Sequence, residues 1–139
     1  MRKPPDDSRY FQKHWSEKGP YFVILDLHGQ ELATSRIFRN DAWYAVGCEL
    51  LQGVADAEQR DAEETADQRD KHLRGFTGIL IRPVDEDGYQ FVYITISGRT
   101  LLTSAKFSSR LKAEKAANAF RRIVRDIVQR ADEVAYVPS

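Results

Sequence analysis

One stretch of the sequence occurs twice, and this repeat constrains the fold more than any other feature. Residues 22–54 align without a gap with residues 91–123, at an offset of 69. The identical pairs are Phe22/Phe91, Val23/Val92, Gly29/Gly98, Leu32/Leu101, Thr34/Thr103, Ser35/Ser104 and Phe38/Phe107. A tandem repeat of one supersecondary unit usually means that a single copy cannot bury its own hydrophobic face. We therefore expect two copies that share one core.

Each copy has the pattern of three strands followed by a helix. A hairpin is predicted around His28-Gly29 and another around Ser97-Gly98, because glycine supplies the positive φ that a tight loop needs. A strand is predicted before each hairpin, at residues 9–15 and 78–84. Apolar residues at spacings of three and four then predict one helix from residue 42 and another after Ser109.

The predicted fold class is α+β. It is a tandem β-β-β-α repeat that forms one antiparallel sheet with two helices packed on one face. The chain, residues 1–139, is expected to be a single domain of two repeats, 9–54 and 78–137. The charged segment 55–77 joins them, and we favour a solvated helix there over a disordered linker. Residues 134–137 are predicted to form a last short strand.

Strand alternation divides the hairpin residues between two faces. A two-residue loop sets Leu25 opposite Leu32 and Val23 opposite Thr34, and we expect this face to meet the helices. The other face would then be an open apolar surface that binds a partner. The residues assigned to it are Phe22, Ile24, Phe91, Tyr93 and Leu102. The alternative is that the sheet curls so that this face closes a barrel-like core or a dimer.

The second copy resembles the YegP-like family, small bacterial proteins of unknown function that are often built as two tandem copies. The matching residues are Gly98, Leu102, Ser104, Phe107, Ser109, Arg110 and Ala113, and the first copy keeps Gly29, Ser35, Phe38 and Gly47. The resemblance implies a pseudo-twofold unit of β3-α-β repeats with one shared sheet and an exchanged C-terminal strand. It brings no catalytic residues. The chain departs from the family pattern at His28 and Ser97, which precede the two loop glycines.

Patterns that would indicate an enzyme are missing from the sequence. The three histidines, His14, His28 and His72, lack metal-ligand spacing, and Cys48 is the only cysteine. The sequence has neither a nucleophile–base pair nor a phosphate-binding glycine motif. We therefore predict a non-enzymatic protein with no cofactor and no metal. No apolar run is long enough to span a bilayer, and we expect a cytoplasmic protein that does not bind membranes.

Charge is divided between the two copies, although the chain as a whole has no net charge. Residues 38–72 carry nine acidic and four basic side chains, whereas residues 99–130 carry nine basic and two acidic ones. The first functional hypothesis is a protein-interaction module that binds a partner or a second copy of itself. It would use the open sheet face and the acidic segment with Glu58, Glu63 and Glu64.

The alternative hypothesis is a nucleic-acid-binding module. It would use the basic second helix, with sheet aromatics stacking on bases. The residues assigned to this role are Lys112, Lys115, Arg121, Arg122 and Arg125.

Overall fold

The computed structural model describes residues 9–61, 76–86 and 88–136. The strands are β1 Phe11–Ser16, β2 Gly19–Leu25, β3 Glu31–Ser35, β4 Glu58–Asp61, β5 Gly78–Asp85, β6 Gly88–Ile94 and β7 Thr100–Ser104. The helices in this part of the chain are α1 Asp41–Glu49, which continues into a 3₁₀ turn at Leu50–Gly53, and α2 Arg110–Tyr136. All seven strands form one sheet in the order β1-β2-β3-β7-β6-β5-β4.

The two repeats meet at the centre of the sheet, where β3 pairs antiparallel with β7. Thr34 lies directly opposite its own repeat equivalent, Thr103. Ala33 lies opposite Ser104, and Ser35 lies opposite Leu102. These two pairs are equivalent, because Leu102 corresponds to Ala33 and Ser104 corresponds to Ser35 in the repeat. A pseudo-twofold axis therefore passes between the two threonines. This arrangement confirms the predicted α+β fold with one sheet shared by both copies.

A pair of matching hydrogen bonds fixes the end of the third strand in each repeat. The Ser35 hydroxyl accepts a hydrogen bond from the Phe22 N–H at 2.9 Å and donates to the Arg36 carbonyl at 2.8 Å. Ser104 does the same with Phe91 and Ala105, at 2.9 and 2.7 Å. Both serines are buried. Serine therefore recurs at this position because its hydroxyl bonds two backbone groups at the end of the strand.

The predicted assignment of the sheet faces was wrong. Phe22, Ile24, Phe91 and Leu102 are fully buried and Tyr93 is only 4% exposed. They face the helices: the Phe22 ring lies 6.0 Å from Tyr44 of α1, and the Phe91 ring lies 5.1 Å from Phe120 of α2. Both faces are apolar, so alternation alone does not distinguish them. Phe22 and Phe91 have large aromatic side chains, and these fill the space between the sheet and the helices.

The hairpin loops have three residues rather than the predicted two. The Gly29 N–H donates to the Asp26 carbonyl at 3.1 Å, and Gly29 has φ +78°. The register Val23 opposite Thr34 is confirmed, but a bulge then sets Leu25 opposite Glu31. Leu32 is the extra residue, and it joins the core beside Ala33. The second hairpin carries the same bulge, with Leu101 as the extra residue.

The first helix was predicted to bury Trp43, Val46, Gly47, Leu50, Leu51 and Val54, and the structure confirms Gly47, Leu51 and Val54 but not Trp43 and Val46. Tyr44, Gly47 and Cys48 are buried, whereas Trp43 is 54% and Val46 45% exposed. Gly47 is required because a Cβ there would lie 2.3 Å from Cζ of Phe38. The second helix was predicted to bury Ala113, Ala116, Ala117, Phe120, Val124, Ile127 and Ala131. Its buried residues are Ala113, Ala117, Phe120, Ile123, Val124 and Ile127, and Ala116 is partly buried. The side chain of Ala131 lies outside the described part of the chain.

Two expectations about the connecting segment and the C-terminus were wrong. Residues 58–61 are strand β4, parallel to β5, rather than helix, and the Arg60 guanidinium lies 5.0 Å from the Phe76 ring. A short charged strand at a sheet edge discourages pairing with other chains. The remainder of the charged segment, 62–75, lies outside the described residues. Helix α2 continues through Tyr136, which excludes the predicted strand at 134–136, and residue 137 is outside the description.

Candidate nucleic-acid interface

Helix α2 presents one continuous polar row to solvent. Its core stripe occupies the opposite side of the helix, so residues at alternating spacings of three and four point outward. We call these five exposed residues the α2 row: Lys115, Asn118, Arg122, Arg125 and Gln129. The row contains three cations, two amides and no acid. From Lys115 to Arg125 it extends about 15 Å along the helix.

The cations of the α2 row carry no internal ion pair in the part of the chain that the structure describes. An ion pair on this helix joins Arg110 to Glu114 at 3.9 Å, before the row begins. Lys112, also exposed, donates to the Ser108 hydroxyl at 2.9 Å. Four of the five cations assigned to nucleic acid from sequence are therefore exposed on one helix.

The fifth of these cations, Arg121, has a different role. Its guanidinium donates to the backbone carbonyls of Val54, Ala55 and Ala57 at 3.0, 3.0 and 2.7 Å. These carbonyls follow the 3₁₀ turn, and the Val54 carbonyl also accepts the Ala57 N–H at 3.2 Å. Arg121 is partly buried, and its Nη1 donates to these backbone carbonyls. We therefore remove it from the candidate interface.

A cleft lies beside the α2 row, between α2 and the first hairpin loop. It has a volume of about 540 Å³, and we call it the α2 cleft. Its lining is Tyr10, Asp26, Leu27, His28, Ala119, Arg122, Ile123 and Asp126. Arg122 belongs both to the row and to the cleft, so the two features form one surface. Asp26 Oδ1 accepts hydrogen bonds from the N–H groups of His28 and Gln30 at 2.8 and 2.9 Å, which fixes the loop side of the cleft.

The pseudo-twofold axis generates a second cleft of about 400 Å³, the α1 cleft. Five lining positions of the two clefts are repeat equivalents: Asp26/Thr95, Leu27/Ile96, Ala119/Leu50, Arg122/Gly53 and Asp126/Ala57. The two clefts therefore share an apolar frame and differ in their polar side chains. A Cβ at Gly53 would lie 2.7 Å from the Tyr93 hydroxyl, so a side chain like that of Arg122 does not fit there.

The two clefts differ in the charged side chains of their linings: the α2 cleft combines Arg122 with Asp26 and Asp126. Glu49, Asp56 and Glu58 line the α1 cleft, and no cation lines it. The Tyr93 hydroxyl also lines it and donates to the Leu50 carbonyl at 3.3 Å; desolvation by burial raises the pKa of Tyr93. Only the α2 cleft combines a cation of the solvent row with an apolar interior.

The residues assigned to protein binding from sequence do not form one surface. Five of them are in the core, as described above, and Glu58 lies in β4 with its carboxylate 2.7 Å from Nε of Arg60. Glu63 and Glu64 lie outside the described residues. The two clefts were missed because a cleft depends on how loops and helices meet. One sequence feature could have indicated the α2 cleft: the two hairpin loops are similar, but the first has Asp26 and His28 where the second has Thr95 and Ser97.

The first repeat exposes apolar side chains where the second exposes lysine. The exposed residues Ile37, Trp43 and Val46 are the repeat equivalents of Lys106, Lys112 and Lys115. The two copies of one scaffold thus present an apolar helix face and a cationic one. The divergence of the copies lies at the surface, where it alters what the protein can bind.

Other chemistry is sparse in the described residues. No group of three or more histidine, cysteine or acidic side chains among them could hold a metal ion. Cys48 is buried, and desolvation raises the pKa of its thiol to about 12, although a hydrogen bond with Tyr44 opposes the shift. A buried protonated thiol is a poor nucleophile. No described helix is long and apolar enough to cross a membrane.

Comparison with known proteins identifies the fold. No protein-family model matches the sequence, and a search of curated proteins finds no match. Two structures solved by NMR are similar, each with a TM-score of 0.58. One is a UPF0339 protein from Shewanella oneidensis, 13% identical, with 81% of each chain covered. The other is yegP from E. coli, a protein of unknown function, 10% identical, with 83% of this chain and 84% of that one covered. The chain therefore has the fold of yegP and of this UPF0339 protein, as the resemblance of its second repeat implies.

Proposed function

We propose that the protein is a non-catalytic nucleic-acid-binding module whose contact surface is the α2 row. The observation that carries the proposal is that Lys115, Arg122 and Arg125 lie exposed on one side of α2 with no acid in the row. Lysine and arginine bind phosphates and release condensed counterions, which is the main source of sequence-independent affinity. Asn118 and Gln129, between and beyond the cations, add neutral donors for phosphate or sugar oxygens.

The binding is expected to be weak at physiological salt and much tighter at low salt. Lys112 and the three cations of the row can neutralise about four phosphates. The chain has no net charge overall, so long-range attraction adds little to these contacts. An affinity in the range of non-specific binding, about 10⁻⁴ to 10⁻⁶ M, is therefore expected near physiological salt.

Fluorescence anisotropy with labelled oligonucleotides tests this proposal. The test variant is the double substitution Lys115→Gln/Arg125→Gln, which removes two cations from the row. The matched control is Lys18→Gln/Arg39→Gln, which removes the same charges from exposed positions outside α2. At about 50 mM salt we expect the test variant to bind at least about tenfold more weakly and the control to bind almost normally. An equal loss in both variants would indicate a net-charge effect and would refute the assignment to α2.

Self-association is a second candidate function, and the exposed pair Trp43 and Val46 favours it. The two side chains are one turn apart on α1, and tryptophan dominates many interfaces. This replaces the sheet face as the apolar surface of the protein-interaction hypothesis. An isologous dimer requires only one such patch, because the same residues meet across the axis.

Light scattering over a range of concentrations tests the second candidate. A dimer that becomes monomeric on Trp43→Ser/Val46→Ser supports it. A wild-type chain that stays monomeric at the highest concentration refutes it. Lys112→Ser/Lys115→Ser is the matched control, because it changes the equivalent positions of α2 and leaves Trp43 and Val46 in place.

A further inference from the structure

We propose that the α2 cleft receives a nucleobase of single-stranded nucleic acid, with Arg122 on the adjoining phosphate and the Asp26 and Asp126 carboxylates on the amino group of the base. This inference rests on the proposed function and specifies the form of nucleic acid that the surface takes. It arises from the position of the cleft, from its lining, and from the absence of an equivalent site on the other side of the pseudo-twofold axis.

Arg122 connects the two parts of this site. It is exposed in the α2 row and also lines the cleft. A phosphate bound by Arg122 brings the attached sugar and base to the mouth of the cleft. The volume of about 540 Å³ lies in the ordinary range for ligand sites. A strand whose backbone follows the row can therefore turn one base into the cleft without leaving its phosphate contacts.

The lining of the cleft suits the face of a base. Tyr10, Leu27, Ala119 and Ile123 supply apolar surface. Leu27 is 63% exposed and lies in the hairpin loop that borders the cleft. The loop is fixed by the hydrogen bonds to Asp26 and by the bond from Leu25 N–H to the Tyr10 carbonyl at 2.9 Å. Bases bind to such preformed apolar and aromatic surfaces with little sequence preference from stacking alone.

The two carboxylates determine what can enter the cleft. Asp26 and Asp126 are acceptors when ionised, and they repel a phosphate that approaches the interior. A neutral group that donates hydrogen bonds is attracted instead. Cytosine, adenine and guanine carry an exocyclic amino group, whereas thymine and uracil do not. We therefore expect bases with an amino group to bind more tightly than thymine.

A duplex cannot make this contact. Its bases are stacked and paired, and a base enters a pocket only after it is unpaired and turned out. Single strands have free base edges, which is why most sequence-sensitive recognition of RNA involves unpaired bases. The cleft therefore favours single-stranded over double-stranded nucleic acid.

The pseudo-equivalent α1 cleft does not provide a second site. Position 53 is glycine where the α2 cleft has Arg122, and the Tyr93 hydroxyl excludes a side chain there. Glu49, Asp56 and Glu58 surround this cleft and repel a phosphate backbone. One base site per chain is expected. Asp56 supplies the control position, because it is an exposed acid of the other cleft.

The experiment is an anisotropy titration at low salt with labelled oligo(dC), oligo(dA) and oligo(dT) of one length, and with a mixed-sequence duplex of that length. We expect oligo(dC) and oligo(dA) to bind about fivefold more tightly than oligo(dT), the effect of about one hydrogen bond. The duplex should bind more weakly than oligo(dC). The ratio between oligonucleotides is the readout, because it cancels the general effect of net charge.

Three variants test the cleft itself. Asp26→Asn keeps an oxygen acceptor for the loop and should reduce the dC-to-dT ratio towards one; Asp126→Asn should do the same without involving the loop. Ala119→Phe fills the cleft and should abolish the preference for single strands. Asp56→Asn makes the same charge change in the α1 cleft and should leave the ratio unchanged.

The possible results separate this inference from the proposed function. If the duplex binds as tightly as oligo(dC), or if oligo(dT) binds as tightly as the others, the base site is refuted while binding through the α2 row stands. An unchanged ratio in both aspartate variants also refutes the base site. If no oligonucleotide binds at low salt, both proposals are refuted.

Discussion

The Arg121 guanidinium donates to the backbone carbonyl of Ala57 at 2.7 Å, and this bond joins the second repeat to the segment that follows the first. The same group bonds the Val54 and Ala55 carbonyls, so one side chain of α2 caps the chain where the first helical segment ends. Helix α1 has no basic residue of its own in its last turn. A cation from the second repeat therefore stabilises the end of the helical segment of the first.

Replacing Arg121 should therefore reduce stability. Arg121→Gln shortens the side chain and removes the charge, and it takes the guanidinium donor away from the partly buried Ala55 and Ala57 carbonyls. We expect a loss of about 2 kcal/mol in the free energy of unfolding, measured by urea denaturation. Arg125→Gln should change stability by less than about 0.5 kcal/mol, because Arg125 is exposed and bonded to no described residue. Equal losses in the two variants would contradict this assignment of roles.

The paired serines should be equally important for folding. Ser35→Ala leaves the buried Phe22 N–H without an acceptor, and Ser104→Ala does the same to Phe91. Each substitution should cost about 1–3 kcal/mol by urea denaturation. Ser108→Ala serves as the control and should have a small effect, because Ser108 is exposed and its hydroxyl accepts from the exposed Lys112 side chain. A large cost for one serine and none for its equivalent would show that the two repeats do not use this bond in the same way.

The buried thiol gives a pH dependence of known sign. Burial raises the pKa of Cys48 to about 12 in the folded chain, whereas an unfolded cysteine ionises near about 8.5. Between these pH values the folded state holds the thiol proton more tightly than the unfolded state does. The contribution of Cys48 to the free energy of unfolding is therefore fully present below the lower pKa and is lost as pH rises. The loss is about 1.4 kcal/mol for each pH unit above the unfolded pKa.

Urea denaturation at about pH 7.5 and about pH 10 measures this effect when Cys48→Ala is compared with the wild type. The difference in stability between the two proteins should shrink as pH rises, because the variant lacks the thiol. A difference that stays constant would mean that the thiol is not protected by burial. The folded wild type should also react slowly with a disulfide reagent at about pH 8 and rapidly once it unfolds.

The repeat carried most of the fold prediction. Seven identical pairs, two loop glycines and helical spacing after each hairpin were sufficient to predict one shared sheet with two helices. The faces could not be predicted in this way. Phe22 and Val23 are both apolar, and only the packing of α1 and α2 determines which of them lies beneath the helices. The one-residue bulges at Leu32 and Leu101 further altered the alternation on which the prediction relied.

The candidate site was predictable only in part. The α2 cations are local to one helix, so their common exposure follows from helical periodicity, and four of the five lie exposed as that periodicity implies. Arg121 has the same charge but points to carbonyls 64 to 67 residues away, which no local pattern reveals. The α2 cleft joins Asp26 and Arg122 from different repeats. The strand at 58–61 was missed because its charged residues favour a helix until β5 offers an edge to pair with.

The central claim is that cations of the α2 row bind nucleic-acid phosphates, and the salt dependence of binding tests it most directly. Each phosphate contact to a single strand contributes about −0.7 to the slope of log Kobs against log salt concentration. Lys115→Gln/Arg125→Gln should therefore reduce the magnitude of the slope by about 1.4 relative to the wild type, while Lys18→Gln/Arg39→Gln leaves it unchanged. A slope that is the same in all three proteins would contradict the account.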